Sequence, residues 1–426
     1  MNQPLDGLVE DETQTANSPS EPDIIIGSRE QLFYLLAEAS EIEHTLMCNY
    51  LYAVFSLKTG NDSNLSERES KAVLGWQKMM MSVAIEEMGH LLMVANLTSA
   101  LGGLPHFGRP NFPVKPGYFP SGVVLKLTPF NQETLDHFIF LERPMGTDAE
   151  DAKGFDDAGF NREQSYQGLM PSAQDYETVS HLYEAIRANI IAFHDRVESD
   201  SVFIGSVDSQ IGPNLIQMPG IEKINDLPAA MRAIDLIVEQ GEGSSSDSED
   251  SHYHRFQQIK DEYESLLIQN PDFAPSNPLA ENPVMRKSAE MDNRVYIDSQ
   301  PASQALDLAN AIYGTLLRFL MQAYTKPESD PLKEKLVSAA FDLMHLLGAI
   351  SKIIAKLPAS ENFPGVNAGM TFTMLRGIEP YSNGSAEIIL IQERLKQLYE
   401  GAKQVSKVLP ESEVLMGKFQ TLQQKF

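Results

Sequence analysis

The sequence predicts an all-α protein: a four-helix bundle with a long, partly β crossover lobe and additional C-terminal helices. Three observations predict it. Two long segments before residue 102 keep apolar residues at spacings of three and four, the period of one helix face. Residues 102–171 interrupt that period with dense proline and glycine. Helical periodicity then returns and recurs to the end of the chain.

Residues 1–27 hold six acids, three prolines and no aromatic, and they predict a disordered acidic tail. With no basic residue before Arg29, they do not read as a secretory leader. The first helix opens at Ser28 with Gln31 three residues on, a capping-box pair, and Gly60 fits its stop. The second opens at Ser66 with Glu69 and runs to Gly102-Gly103. In the lobe, the run VVLKLTPF alternates weakly and predicts a short strand. Its length suggests that the lobe covers something. A third helix is expected from about 172 to 197 and a fourth from 227 to 240. The acidic GEGSSSDSEDS interrupts the fourth, which resumes over 252–268. Loop-like residues 270–300 precede helices at about 301–325 and 331–357 and a weaker helical tail from 386. The division expected is a tail (1–27), a bundle with its lobe (28–268) and a helical extension packed on the bundle (269–426).

Thirty-three Lys and Arg face 59 Asp and Glu, a net charge of −26. That balance argues against nucleic acid and against anionic membrane surfaces as partners. No unbroken apolar run reaches the ~18 residues of a membrane helix. The single cysteine, Cys48, excludes an internal disulfide framework and suits a reducing, cytoplasmic setting. It has no His/Asp signature of a nucleophile around it. Met79, Met80 and Met81 read as core filler.

Chemistry enters through charged residues placed in apolar seams. The first helix carries Leu32, Leu36, Ala39, Glu43, Leu46 and Tyr50 on one face. The second carries Trp76, Met80, Val83, Glu87, His90 and Val94. A lone buried carboxylate costs several kcal/mol unless it is paired or binds a metal. Dimetal four-helix bundles take one Glu from each of two helices and Glu-x-x-His from the other two. Glu87-Met-Gly-His90 matches that unit; a buried Glu–His hydrogen bond is the plainer reading. Glu41 and His44 share the spacing, but Glu41 points nearly opposite to Glu43, so Glu41 and Glu43 are not both expected to bind one centre. Glu43, in the stripe of Leu36 and Tyr50, is the preferred ligand, and Glu41–His44 is the alternative or an interhelical polar pair. On the third helix His181 and Glu184 sit at the border of an apolar face, as ligands or as a solvated pair. On the fourth, Glu239 or Glu242 with His252 forms a split version of the last unit. His252 shares a stripe with Phe256, Ile259 and Tyr263, whereas His254 falls with Gln258 and Asp261. His194 and His345 read as structural.

The segments EIEHTLMCNYLYAVFSLK, IEEMGHLLMVANLTSALGGLPHFGRPNFP, PGYFPSGVVLKLTPF, FIFLERP, and IVEQGEG followed by SHYHRF resemble the ferritin-like family of iminophenylpyruvate dimer synthase. That family includes the ferritin-like part of the bisindole-forming enzymes of violacein and rebeccamycin biosynthesis. The likeness spans about residues 30–260 and weakens towards 375. It implies a ferritin-like fold, bound iron, and Glu43, Glu87, His90, Glu242 and His252 as metal ligands. Where the family is expected to carry Glu, in an IGExYEAI-like string, this chain has VSHLYEAI. His181 there changes the charge of the site, and Glu184 is the substitute.

The resemblance implies metal-dependent oxidative chemistry on a small, amino-acid-derived imine or related molecule. Iron, mononuclear or dinuclear, is the expected cofactor. Manganese is the alternative, and haem is less favoured. A small-molecule substrate is the expected partner, and a homo-oligomer is allowed. The rival classes are a metal-binding or metal-buffering protein without turnover and a structural bundle with satisfied polar pairs. Metal content and oxygen uptake separate them.

Overall fold

A computed structural model describes residues 24, 26–58, 65–119, 123–155, 176, 178–197, 202–241, 250–287 and 294–426. The fold is all-α. Among the described residues, two two-residue strands, Pro283–Val284 and Val295–Tyr296, pair in parallel beside ten α-helices.

Four bundle positions surround the centre described below. They are α1 (Arg29–Ser56), α2 (Glu67–Ala100), α4 (Val179–Arg196), and the pair α5 (Leu227–Gly241) and α6 (His252–Gln269). Side-chain capping fixes the starts. Ser28 accepts from Gln31 N, and Ser66 and Glu69 form a complete capping box. Gly102, at φ +97°, takes the left-handed turn that ends α2. The expected stop at Gly60 lies outside the described residues, and α1 ends at Ser56. The described part of the third helix begins at Val179, capped by Thr178.

The lobe differs from expectation. VVLKLTPF contributes a single antiparallel bridge, Val114 to Leu125, and no strand of any length. The regular element there is α3 (Gln132–Leu141), capped by Asn131 and burying Leu135, Phe138 and Leu141 against α6. The breakers on either side hid a ten-residue helix whose apolar spacing is sound.

α1 is buried at every position from Ile42 to Ser56. A helix apolar on all sides must be covered on all sides. The bundle covers one side. The other is covered by α7 (Ala302–Tyr324) and α8 (Pro331–Ile354), which α9 (Ser385–Val408) and α10 (Val414–Lys425) back in turn. The apolar core therefore runs without a break from the bundle into the C-terminal helices. Gly369 marks a close approach: a Cβ there would stand 2.1 Å from the Tyr52 hydroxyl, which reaches the Ala280 carbonyl.

Among the described residues, α8 is long and apolar enough to cross a membrane by length and composition, yet it holds no unbroken apolar run of that length. It packs on α7 and α10, and Lys333, Glu334, Lys335, Asp342 and Lys352 interrupt it.

Candidate metal centre

Three carboxylates and two imidazoles converge between α1, α2, α3, α4 and α6. Glu43, Glu87 and His90 form one group; Glu87, Glu142 and His252 form a second. Within each group one ligand atom per residue lies within 4.8 Å of the others, and all five residues are buried. Glu87 belongs to both groups, using Oε2 towards His90 and Oε1 towards His252.

His90 Nδ1 stands 3.3 Å from Glu43 Oε2 and 3.2 Å from Glu87 Oε2, and its Nε2 reaches Gln240 Oε1 at 2.9 Å. His252 Nε2 donates to Glu86 Oε2 at 2.9 Å. His252 Nδ1 lies 3.0 Å from Glu87 Oε1 and 3.5 Å from Glu142 Oε2, yet it is aligned for a hydrogen bond with neither. The two rings are 5.6 Å apart. Two phenols complete the shell: Tyr183 donates to Glu43 Oε1 at 2.5 Å, and Tyr50 donates to Glu142 Oε1.

The titrations follow from burial. Desolvation, then repulsion from Glu87, raises the Glu43 carboxyl to about 8. Burial opposes charge on His90, but the Glu43 and Glu87 carboxylates outweigh it and lift that imidazole to about 10. His252 is likewise raised, burial being overcome by Glu142 and Glu87. Glu86 sits below the usual carboxylate range, because His252 and Arg255 overcome its partial burial. Without a cation, then, the centre holds protons on Glu43 and on both imidazoles.

The residues fit a metal. The donor set is carboxylate and imidazole, with one carboxylate able to bridge. The His252 Nδ1 points at the centre without a hydrogen-bond partner. A cavity of about 20 Å³ lies among the five side chains, walled by Leu46, Leu141, Val179, Ile237 and Val238. That is room for an ion or a water.

The structure brings together Glu43, Glu87, His90 and His252 of the expected residues. Others lie elsewhere. Glu184 is 43% exposed and pairs with Arg187 at 3.7 Å. Glu239 is exposed, and its neighbour Gln240 is the one that turns to His90. His181 is outside both groups, and Tyr183 meets Glu43 from the same helix. Glu242 lies outside the described residues. Glu41 pairs with His106 at 2.8 Å, and His44 faces Tyr313 on the opposite side of α1. Glu142 was not foreseen. It is the C-cap of α3 and continues the line of Leu135 and Phe138 at spacings of seven and four, in a segment where no helix was expected and whose family-like FIFLERP was the one signal.

Fold and site together define a ferritin-like bundle with a carboxylate–histidine centre. The chain belongs to the Ferritin-like family, whose model matches residues 36–261. It is 23% identical over 409 residues to the 2-imino-3-(indol-3-yl)propanoate dimerase of Chromobacterium violaceum, covering 88% of this chain and 37% of that one. It is 24% identical over 386 residues to the dichlorochromopyrrolate synthase of Lentzea aerocolonigenes, covering 82% of this chain and 36% of that one. The chain thus spans little over a third of the length of these relatives. A ferritin-like protein from Caulobacter vibrioides shares the fold, with a TM-score of 0.51 at 16% identity over 82% of this chain and all of that one.

Proposed function

We propose that this protein is a metal-dependent oxidoreductase or imine-coupling enzyme of the ferritin-like family, acting on a small, amino-acid-derived imine or related molecule. The observation that carries the reading is the pair of buried ligand groups sharing Glu87. The two relatives named above support the substrate class by their names.

Iron is the proposed metal and manganese the second choice, since mixed carboxylate and imidazole ligation with open positions supports oxygen chemistry. Glu43, Glu87, His90, Glu142 and His252 would hold it, Glu87 being common to both ligand groups. A cavity of about 20 Å³ has no room for a haem at this place. Around the ligands stands an apolar wall of Leu46, Leu141, Val179, Ile237 and Val238, while Tyr50 and Tyr183 each donate to one oxygen of Glu142 and Glu43 and so hold those carboxylates in place. The buried thiol of Cys48 suits a cytoplasmic location.

The test is elemental analysis of protein purified without chelator, followed by oxygen uptake with tryptophan- or phenylalanine-derived imines. At least about one equivalent of iron or manganese per chain and substrate-dependent uptake are expected. Metal without uptake for any imine would favour a binding or buffering protein. Absence of metal would end the reading.

A further inference from the structure

The two imidazoles of the centre differ on their outer side. His252 Nε2 donates to a carboxylate, Glu86 Oε2, at 2.9 Å. That carboxylate is itself held by Arg255, 2.9 Å from Glu86 Oε1, and Arg255 reaches Asp250 at 3.2 Å. His90 Nε2 meets a neutral amide oxygen, Gln240 Oε1, at the same 2.9 Å. A carboxylate can only accept, so the proton of neutral His252 must sit on Nε2 and the Nδ1 lone pair faces Glu87 and Glu142. An anionic acceptor also makes the imidazole a stronger donor to a cation than an amide does.

We propose that Glu86 is a positioning residue that makes the two halves of the centre unequal. The half built on Glu142 and His252 takes the first divalent cation and holds it more tightly than the half built on Glu43 and His90. The carboxylates are matched in number. Each half has one of its own, each of these accepts from a tyrosine, and Glu87 is common to both. The outer partners differ in charge, Glu86 against Gln240, and outer partners of ligating histidines change metal affinity by about 10–100-fold.

The inference rests on the metal-centre reading above, and Co²⁺ tests the two separately. Metal-free full-length protein is titrated with Co²⁺ and followed by visible absorption and calorimetry. Two unequal equivalents are expected, the first abolished by His252→Ala and the second by His90→Ala. Glu86→Gln, which keeps an acceptor but removes its charge, should weaken the first equivalent about 10-fold or more and leave the second. Gln240→Glu should strengthen the second. Thermal melts of the metal-free variants report folding, and the Gln240→Glu gain cannot come from misfolding. No Co²⁺ binding by the wild type would overturn the metal reading itself. Two equal equivalents, or an unequal pair untouched by Glu86→Gln and Gln240→Glu, would overturn the inference and leave that reading standing.

Discussion

Tyr183 of α4 donates to Glu43 of α1 across 2.5 Å, both side chains buried, so a phenol ties the third bundle helix to the first at the centre. Tyr183→Phe keeps the ring and removes the donor. Removing the donor leaves a buried carboxyl oxygen unsatisfied, at a cost of about 1–3 kcal/mol. Denaturant unfolding of the metal-free variant should show a loss of that size. The loss should shrink when metal is bound, because a cation then satisfies Glu43. No loss in either state would mean that the phenol serves packing alone, and an equal loss in both would mean that bound metal does not satisfy Glu43.

The metal-free centre also sets a pH dependence. The Glu43 carboxyl is raised to about 8 and the His90 imidazole to about 10 in the native state. Unfolded, they titrate near their ordinary values. Between those limits the native chain binds more protons than the unfolded chain, so stability falls as pH rises. For Glu43 the fall starts near the ordinary carboxylate range and ends once pH passes 8. For His90 it starts near the ordinary imidazole range and ends above 10. Chelator-treated protein should therefore melt progressively lower from about pH 5 to about pH 9. Glu43→Gln should flatten the lower part of that slope. Metal binding should release protons, measurable as buffer-dependent heat in calorimetry. A melting temperature that climbs over this range without metal would contradict the charge states given above.

What could be read in advance follows from periodicity. Glu87 and His90 stood out because an apolar stripe on a long helix makes a charged residue conspicuous. His252 was separable from His254 for the same reason. The choice of Glu43 over Glu41 rested on the stripe of Leu36 and Tyr50, and Glu41 is found with His106. Glu142 was hidden because α3 is embedded among breakers, so the line Leu135, Phe138, Glu142 did not register as a helix face. Tyr183 was legible in principle, since it continues the line of Ile186 and Ile190 at spacings of three and seven. His181 and Glu184, being ionisable, drew attention from it. The outer partners Glu86 and Gln240 each adjoin a residue that was singled out, and only three-dimensional packing shows which side they serve.

Glu142 supplies the sharpest contrast among the carboxylates. It belongs to the same group as Glu87 and His252, while Glu184 and Glu239 lie at the surface. Glu142→Ala should lower bound metal by about one equivalent if two ions bind, as the shared Glu87 allows. Glu184→Ala and Glu239→Ala should change stability by no more than about ±0.5 kcal/mol and leave metal content alone. Elemental analysis of the three variants decides it. Metal loss at Glu184 would mean that α4 turns its other face to the centre.

The opposite side of α1 carries a second buried polar cluster, and it makes the last prediction. Tyr313 of α7 donates to His44 Nε2 at 2.6 Å, and His44 Nδ1 donates to the Phe107 carbonyl at 3.1 Å. Arg109, also buried, donates to the Tyr313 oxygen from Nε at 3.2 Å and from NH2 at 3.1 Å. Its other partners are the carbonyls of Pro110 and Phe372 and the face of Phe112, 4.5 Å away. Among the described residues no carboxylate pairs with it. Burial and the nearby guanidinium hold His44 well below the ordinary imidazole range, so it is neutral and accepts the phenolic proton. Tyr313→Phe would leave His44 Nε2 without a donor and Arg109 without its main acceptor, in a place water does not reach. Removing one partner of a buried charge-assisted contact costs more than the contact itself is worth. Urea unfolding should show a loss of about 2–4 kcal/mol. Metal content should stay at the wild-type level, because His44 and Glu43 leave the helix in different directions. Reduced metal with unchanged stability would mean that this cluster belongs to the centre and does not merely lock α7 against α1.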